Sequence, residues 1–175
     1  MQIEELAVVS FETELGSMAA VARGDRLVLL KIGYASQPAA LASVAEQLGD
    51  LPTREWKAEE LVDRLRRYAA GEAVELDAIP LDLDHLTPFQ QRVVRECRAI
   101  GYGETLSYGE LAARAGSPRA ARAVGGVMRA NRFPLIVPCH RVIGAGGALG
   151  GFSAPDGVTF KQRLLTLEAA ALAPA

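Results

Sequence analysis

The residues with the clearest capacity for chemistry are Cys139 and His140, adjacent in the segment Val137-Pro138-Cys139-His140-Arg141-Val142. A thiol becomes a useful nucleophile when a nearby base or positive charge lowers its pKa below the unperturbed ~8.5. Histidine can accept the thiol proton, directly or through water, and a carboxylate can orient the ring. Pro138 fixes the chain just before the cysteine, and Arg141 supplies a nearby positive charge. The segment follows an apolar stretch, Phe133 to Val137, and precedes a glycine-rich one, Gly144 to Gly151. A lone cysteine is also commonly a small buried hydrophobe, and these residues alone leave that alternative open for Cys139.

Other chemistries lack the residues they need. Two cysteines and two histidines, with Cys139 and His140 adjacent, do not give the four-ligand spacing of a zinc site, so no metal is expected. The glycines of 144–151 contain no G-x-G-x-x-G, and no Walker-type lysine follows a glycine loop. No nucleotide or S-adenosyl cofactor is therefore expected. Cys97, on a helix, reads as core. So few cysteines argue against a disulfide scaffold and for the reducing cytoplasm. The first residues, Met1 to Glu5, lack the basic start and apolar run of a signal peptide, and the apolar stretches are too short to span a bilayer. A cytoplasmic protein with no membrane partner is expected.

A formal net charge of −2 hides an asymmetry. Residues 1–85 hold 8 Lys/Arg against 16 Asp/Glu, a balance of −8, whereas residues 86–150 hold 9 Arg and 3 Glu, a balance of +6. The basic segment has the electrostatic footprint of a polyanion-binding surface; a solvated cluster of arginines is the plainer alternative.

The elements that must position these groups can be read in outline. Residues 17–32 read as two strands around a Gly24-Asp25 turn. Residues 38–48 and 57–70 read as helices, the second with Leu61, Leu65 and Tyr68 on one face. Ile79 to His85 reads as an extended linker, which divides the chain into domains 1–80 and 86–170. Thr87-Pro88-Phe89-Gln90 and Ser107-Tyr108-Gly109-Glu110 are capping boxes, and Ser117-Pro118 is expected to open a third helix over 118–129. Three short helices with Gly116 in the second connection suggest a helix-turn-helix. On the third helix, Arg119, Arg122, Gly126 and Arg129 fall near one face, and Ala120, Ala121, Ala123, Gly125 and Gly126 leave it with little bulk. Two glycines in a helix cost roughly 2 kcal/mol relative to alanine. Either close approach of another surface or tight packing inside the protein would offset that.

The text around Cys139 resembles the 6-O-alkylguanine-DNA alkyltransferases (methylated-DNA–protein-cysteine methyltransferases). The resemblance rests on Pro138-Cys139-His140-Arg141-Val142, on Phe89 to Val93, on Gly103 to Ala112 and on Ala120 to Asn131, in order and in register over residues 86 to 168. It implies an α+β fold with an RNase H-like N-terminal α/β domain and a winged helix-turn-helix domain after it. It implies Cys139 as alkyl acceptor, His140 and Glu168 as a relay that deprotonates it through water, Asn131 as a brace of the active-site turn, and Tyr108 as a hydrogen-bond donor to the purine. Arg122 would fill the base stack when the nucleotide is flipped out, with Ala120, Ala121, Ala123 and Gly125 facing the minor groove and Arg119 and Arg129 on the DNA-binding surface. Pro138, Val142, Phe152 and Ser153 would border the alkyl pocket, with Phe152 standing where a tyrosine is common. The implied partner is double-stranded DNA containing 6-O-alkylguanine, bound by a monomer without a cofactor. A non-catalytic lesion-binding protein is the runner-up, and the presence of Cys139 speaks against it. A winged-helix regulator would need a further sensor or operator-reading domain.

Overall fold

The computed structural model describes residues 5–50 and 53–174. The chain is mixed α+β and divides into two compact units, one reaching Asp82 and one starting at Leu83.

The first unit is built on a four-stranded sheet. β1 (Leu6–Thr13), β2 (Gly16–Arg23) and β3 (Arg26–Tyr34) form an antiparallel meander, and β4 (Thr53–Glu55) adds to β1 in parallel, giving the order β3-β2-β1-β4. Gly24 at φ 60° makes the β2–β3 turn where the sequence places it. Helix α1 (Gln37–Leu48) follows β3 and precedes β4; Ser36 caps it by accepting from the Ala39 amide at 3.2 Å. Its Ala40 and Val44 pack on Val21, Val28 and Leu29 of the sheet. Helix α2 (Glu59–Ala69) buries Leu61, Leu65 and Tyr68, as their spacing requires. Glu59 and Glu60 lie in its first turn and Arg66 and Arg67 in its last, favourable against the helix dipole.

Two features depart from the sequence expectations. β1 and β4 were not anticipated: β1 carries a nearly continuous apolar run, which lacks the alternation that marks a half-exposed strand. The segment expected to be a linker starts inside the first unit. Leu81 bridges to Leu27, whose amide donates to Pro80 O at 2.9 Å, and the buried Asp82 accepts from Arg23 at 2.9 Å. Sheet pairing and an ion pair therefore hold this stretch through Asp82.

In the second unit, α3 (Pro88–Arg98) opens on the Thr87 capping box and buries Val93, Val94 and Cys97. β5 (Leu106–Ser107) leads directly into α4 (Tyr108–Arg114), capped reciprocally by Ser107 and Glu110 at 3.0 and 2.7 Å. A turn through Gly116, at φ 83°, connects to α5 (Ala121–Arg129). β6 (Val142–Ile143) pairs in parallel with β5, and α6 (Gly157–Leu172) closes the unit.

The third helix starts later than expected. Ser117 does not cap it; Ser117-Pro118-Arg119-Ala120 closes as a turn of its own, with the Ala120 amide on Ser117 O at 2.9 Å, and the helix begins at Ala121 without a side-chain cap. Arg119 therefore sits in the turn and does not share the helix face of Arg122, Gly126 and Arg129. Gly125 and Gly126 are not packing glycines either. A Cβ on Gly126 would meet nothing within 4 Å, and one on Gly125 only the Tyr108 ring edge at 4.0 Å. Their face opens outward.

The Ser107 cap joins the strand pairing to α4. Ser107→Ala should lower stability by about 1 kcal/mol, read as a lower urea midpoint at unchanged slope.

Candidate active site

The chain reaches Cys139 through a strained loop. Leu135 adopts φ 72°, uncommon for a bulky residue, and Asn131 holds the loop at both ends. The Asn131 side chain donates to Val137 O and accepts from the Phe133 amide, both at 2.9 Å. Cys139 to Arg141 then form a single 3-10 turn, with Pro138 before it and the Arg141 amide on Pro138 O at 2.9 Å. The β5–β6 pairing, Leu106 with Val142 and Ser107 with Ile143, ties the end of this turn to the start of α4 and so to Tyr108. Gly150 passes directly over the Tyr108 hydroxyl, leaving no room for a side chain there.

Glu168 of α6 meets the turn in the interior. His140 is 0% and Glu168 1% exposed, and His140 Nε2 lies 2.7 Å from Glu168 Oε1. Arg141 donates from Nε and Nη2 to the same carboxylate at 2.8 to 3.1 Å and from Nη1 to Ile100 O at 2.8 Å. The Gly103 amide donates to Glu168 Oε2 at 3.0 Å. With Nε2–H donating to the carboxylate, Nδ1 carries the imidazole lone pair and is the basic atom of the ring.

Each titration follows from burial against these contacts. Burial by itself would raise Glu168, but the hydrogen bonds and charges of His140 and Arg141 outweigh it and hold the carboxyl well below the ordinary range. Burial lowers His140, and Glu168 opposes this only in part. Burial also raises the Cys139 thiol above its ordinary range; the Asn131 side chain, the Lys161 charge and the backbone amides of Cys139 and His140 pull the other way. The resting pair is thus a neutral thiol beside a neutral imidazole. This corrects the expectation that the surroundings lower the thiol pKa. Arg141, expected to supply the charge for Cys139, is bound to Glu168 instead.

Five residues singled out from the sequence therefore meet around one turn: Cys139, His140, Glu168, Asn131 and Tyr108. Pro138 and Val142 are buried beside them. Phe152 is half-buried and stacks on Phe160 of α6, with centroids 5.9 Å apart and planes at 8°, and Ser153 is exposed. The remaining residues lie on a separate surface. Arg122, Ala123 and Arg129 of α5 are exposed, as is Arg119 in the preceding turn, while Ala120, Ala121 and Gly125 are half-buried. Among the described residues, no group of three or more His, Cys, Asp or Glu could hold a metal. Lys161 was missed by the sequence reading. It is buried in α6 with Nζ on Val142 O at 2.7 Å. The available signal was its place on the apolar face of α6, between Phe160 and Leu164 and two helical turns before Glu168.

Residues 88–170 match the family described as 6-O-methylguanine DNA methyltransferase, DNA binding domain. The chain is 44% identical over 138 residues to the methylated-DNA–protein-cysteine methyltransferase of Mycolicibacterium paratuberculosis, covering 79% of this chain and 71% of that protein. This chain belongs to the methylated-DNA–protein-cysteine methyltransferase family. The Mycobacterium bovis member is 52% identical over 107 residues, which span 61% of this chain and 62% of that relative, less than two thirds of its length. The solved structure of Mycobacterium tuberculosis OGT in complex with DNA is 38% identical and superposes with a TM-score of 0.78, over 97% of this chain and 96% of that one.

In this methyltransferase-family chain the pH dependence of stability follows from the two shifts. A carboxyl lowered on folding stabilises fully above its unfolded value of about 4.3. That contribution fades as pH falls toward the folded value. A buried histidine lowered from about 6.5 works in the same direction, because below that pH the unfolded chain binds the proton first. Urea midpoints should therefore fall with acidification from about pH 6.5, more steeply below about 4.5. Glu168→Gln should remove the steeper part and, by leaving Arg141 buried without its counter-charge, should destabilise the protein by about 3–5 kcal/mol at pH 7.

Proposed function

We propose that this protein reverses DNA alkylation in a single turnover, taking the alkyl group of a 6-O-alkylguanine irreversibly onto Cys139. The observation that carries this reading is the buried His140–Glu168 pair at 2.7 Å on the same turn as Cys139, in a chain of this family. The Sγ proton passes to His140 Nδ1 through a bridging water. The thiolate attacks the alkyl carbon in line; the S–C bond forms, the C–O bond breaks, and its electron pair goes to the purine. The Tyr108 hydroxyl, on the wall of the site under Gly150, donates to the purine and lowers the cost of that charge. Its proton is replaced from solvent. A thioether has no good leaving group, so the protein is consumed and no cofactor is needed. Asn131, by bonding both ends of the Phe133–Val137 loop, braces the turn.

The partner in this reading is double-stranded DNA, bound by a monomer through the minor groove. The open, low-bulk face of α5 supports it, as does the +6 balance of residues 86–150. Arg122, exposed on that face, fills the stack left by the flipped nucleotide; Arg119 and Arg129 contact the backbone. Pro138, Val142, Phe152 and Ser153 border the alkyl pocket. The α3–α4–α5 arrangement with the β5–β6 pair supports a winged helix-turn-helix, and the β3-β2-β1-β4 sheet with its two helices supports an RNase H-like first unit. No helix of the described residues is long and apolar enough to cross a membrane. Both thiols are free and suit a reducing cytoplasm.

Incubation with an oligonucleotide bearing 6-O-methylguanine should add the mass of one methyl group, at Cys139 and not at Cys97. Cys139→Ala should take up none while still binding the lesion duplex; transfer persisting in that variant would refute the mechanism. Extruding a nucleotide costs a few kcal/mol in a paired duplex and nothing in a single strand. Arg122→Ala should therefore slow repair of duplex DNA strongly and leave single-stranded repair near the wild-type rate. Arg119→Ala should weaken both substrates alike and flatten the salt slope by about one unit. Equal losses for Arg122→Ala on both substrates would remove its flipping role.

A further inference from the structure

Four of the charged or titratable side chains around Cys139 already have a part in the reading above: His140, Arg141, Glu168 and Tyr108. Lys161 does not. It is 1% exposed, although a lysine is almost never fully buried without a partner. It donates to Val142 O, a neutral carbonyl, at 2.7 Å, and its ammonium stands 5.9 Å from the centre of the Tyr108 ring. Neither contact supplies a counter-charge. The groups facing this ammonium come from every element packed on it: Cys97 of α3, Tyr108 of α4, and Cys139 and His140 of the catalytic turn, with Glu168 further along its own helix.

The charges of the interior can be added. Glu168 and Arg141 are hydrogen-bonded to one another and cancel, and His140 is neutral at rest. Lys161 is then the positive charge left over. With Cys139 as a thiol the cluster carries one net positive charge, and with Cys139 as a thiolate it is neutral. A buried charge is tolerated where an opposite one can form beside it, and Lys161 makes the thiolate that opposite charge.

We propose that Lys161 is a positioning residue for alkyl transfer, its buried ammonium holding the Cys139 thiolate as it forms. Arg141, only two residues from Cys139 in sequence, cannot do this, because Glu168 neutralises it. The electrostatics agree in both directions: the Lys161 charge lowers the thiol, and Cys139 raises Lys161 against the effect of burial. Holding Val142 O also ties α6 to the β6 strand that follows the turn, so the ammonium is fixed relative to the sulfur. The proposal rests on Cys139 as the alkyl acceptor, but its test does not require DNA.

The rate of Cys139 modification by iodoacetamide, mapped by peptide mass spectrometry so that Cys97 does not contribute, gives the titration of the thiol. Lys161→Met and Lys161→Gln should move the midpoint up by about one unit or more, which is about tenfold less thiolate near neutrality. Lys161→Arg should stay close to wild type. Glutamine can still donate to Val142 O, so a shift in that variant reports the charge and not the hydrogen bond. An unchanged midpoint in Lys161→Gln would overturn the proposal. Should both neutral variants fail to fold, NMR of 13Cε-labelled lysine in the wild type and in Cys139→Ser decides. Linkage is reciprocal, so the Lys161 midpoint must be lower in Cys139→Ser, and an equal midpoint overturns the proposal. A wild type that shows this coupling yet takes no methyl group from 6-O-methylguanine DNA would sink the alkyl-transfer reading alone.

Discussion

Glu168 is the carboxylate on which the second unit converges. It is buried in α6 and receives hydrogen bonds from His140, from Arg141 and from the Gly103 amide, while Arg141 extends the same network to Ile100 O. Three separate stretches of chain are thereby joined: the end of α3 with the loop after it, the turn at Cys139, and the C-terminal helix. A buried carboxylate is tolerated only with such partners, so the network cannot lose one member without exposing the others to an uncompensated charge. The orientation of the imidazole and the position of the cysteine turn both follow from it.

The strain and the charge are distributed around that anchor. Leu135 holds a left-handed conformation because Asn131 bonds the backbone on both sides of it, and the loop then delivers Cys139 into the interior. Burial there keeps the thiol protonated and the imidazole neutral. Arg141 is bound to Glu168, and the buried Lys161 charge is among the influences that lower the thiol against that burial.

The exposed arginines of α5 and the buried Cys139 turn lie on different elements. α5 presents small residues and arginines outward and makes no use of its glycines for internal packing. The Cys139 turn is buried and is tied to the start of α4 by the two-residue pairing of β5 with β6. Charge and bulk on the open face of α5 can therefore change without disturbing the buried network.

The sequence alone determined the local parts. Capping residues placed the starts of α3 and α4, because a cap is a contact between residues three apart. Apolar spacing identified the buried face of α2, and Cys139-His140 with its neighbours singled out the stretch that folds as a single 3-10 turn. The start of α5 was misread because Ser117-Pro118 also suits a free turn, and the choice between the two depends on packing. The strand β1 was missed because its nearly continuous apolar run lacks the alternation that marks a half-exposed strand. Only the tertiary structure decided which charge serves which group. Arg141 is two residues from Cys139 in the chain yet belongs to Glu168, 27 residues away. Lys161, 22 positions from the cysteine, shares its buried environment. Sequence distance says little about electrostatics once water is excluded, because in a buried site the nearest charge in space is the one that acts.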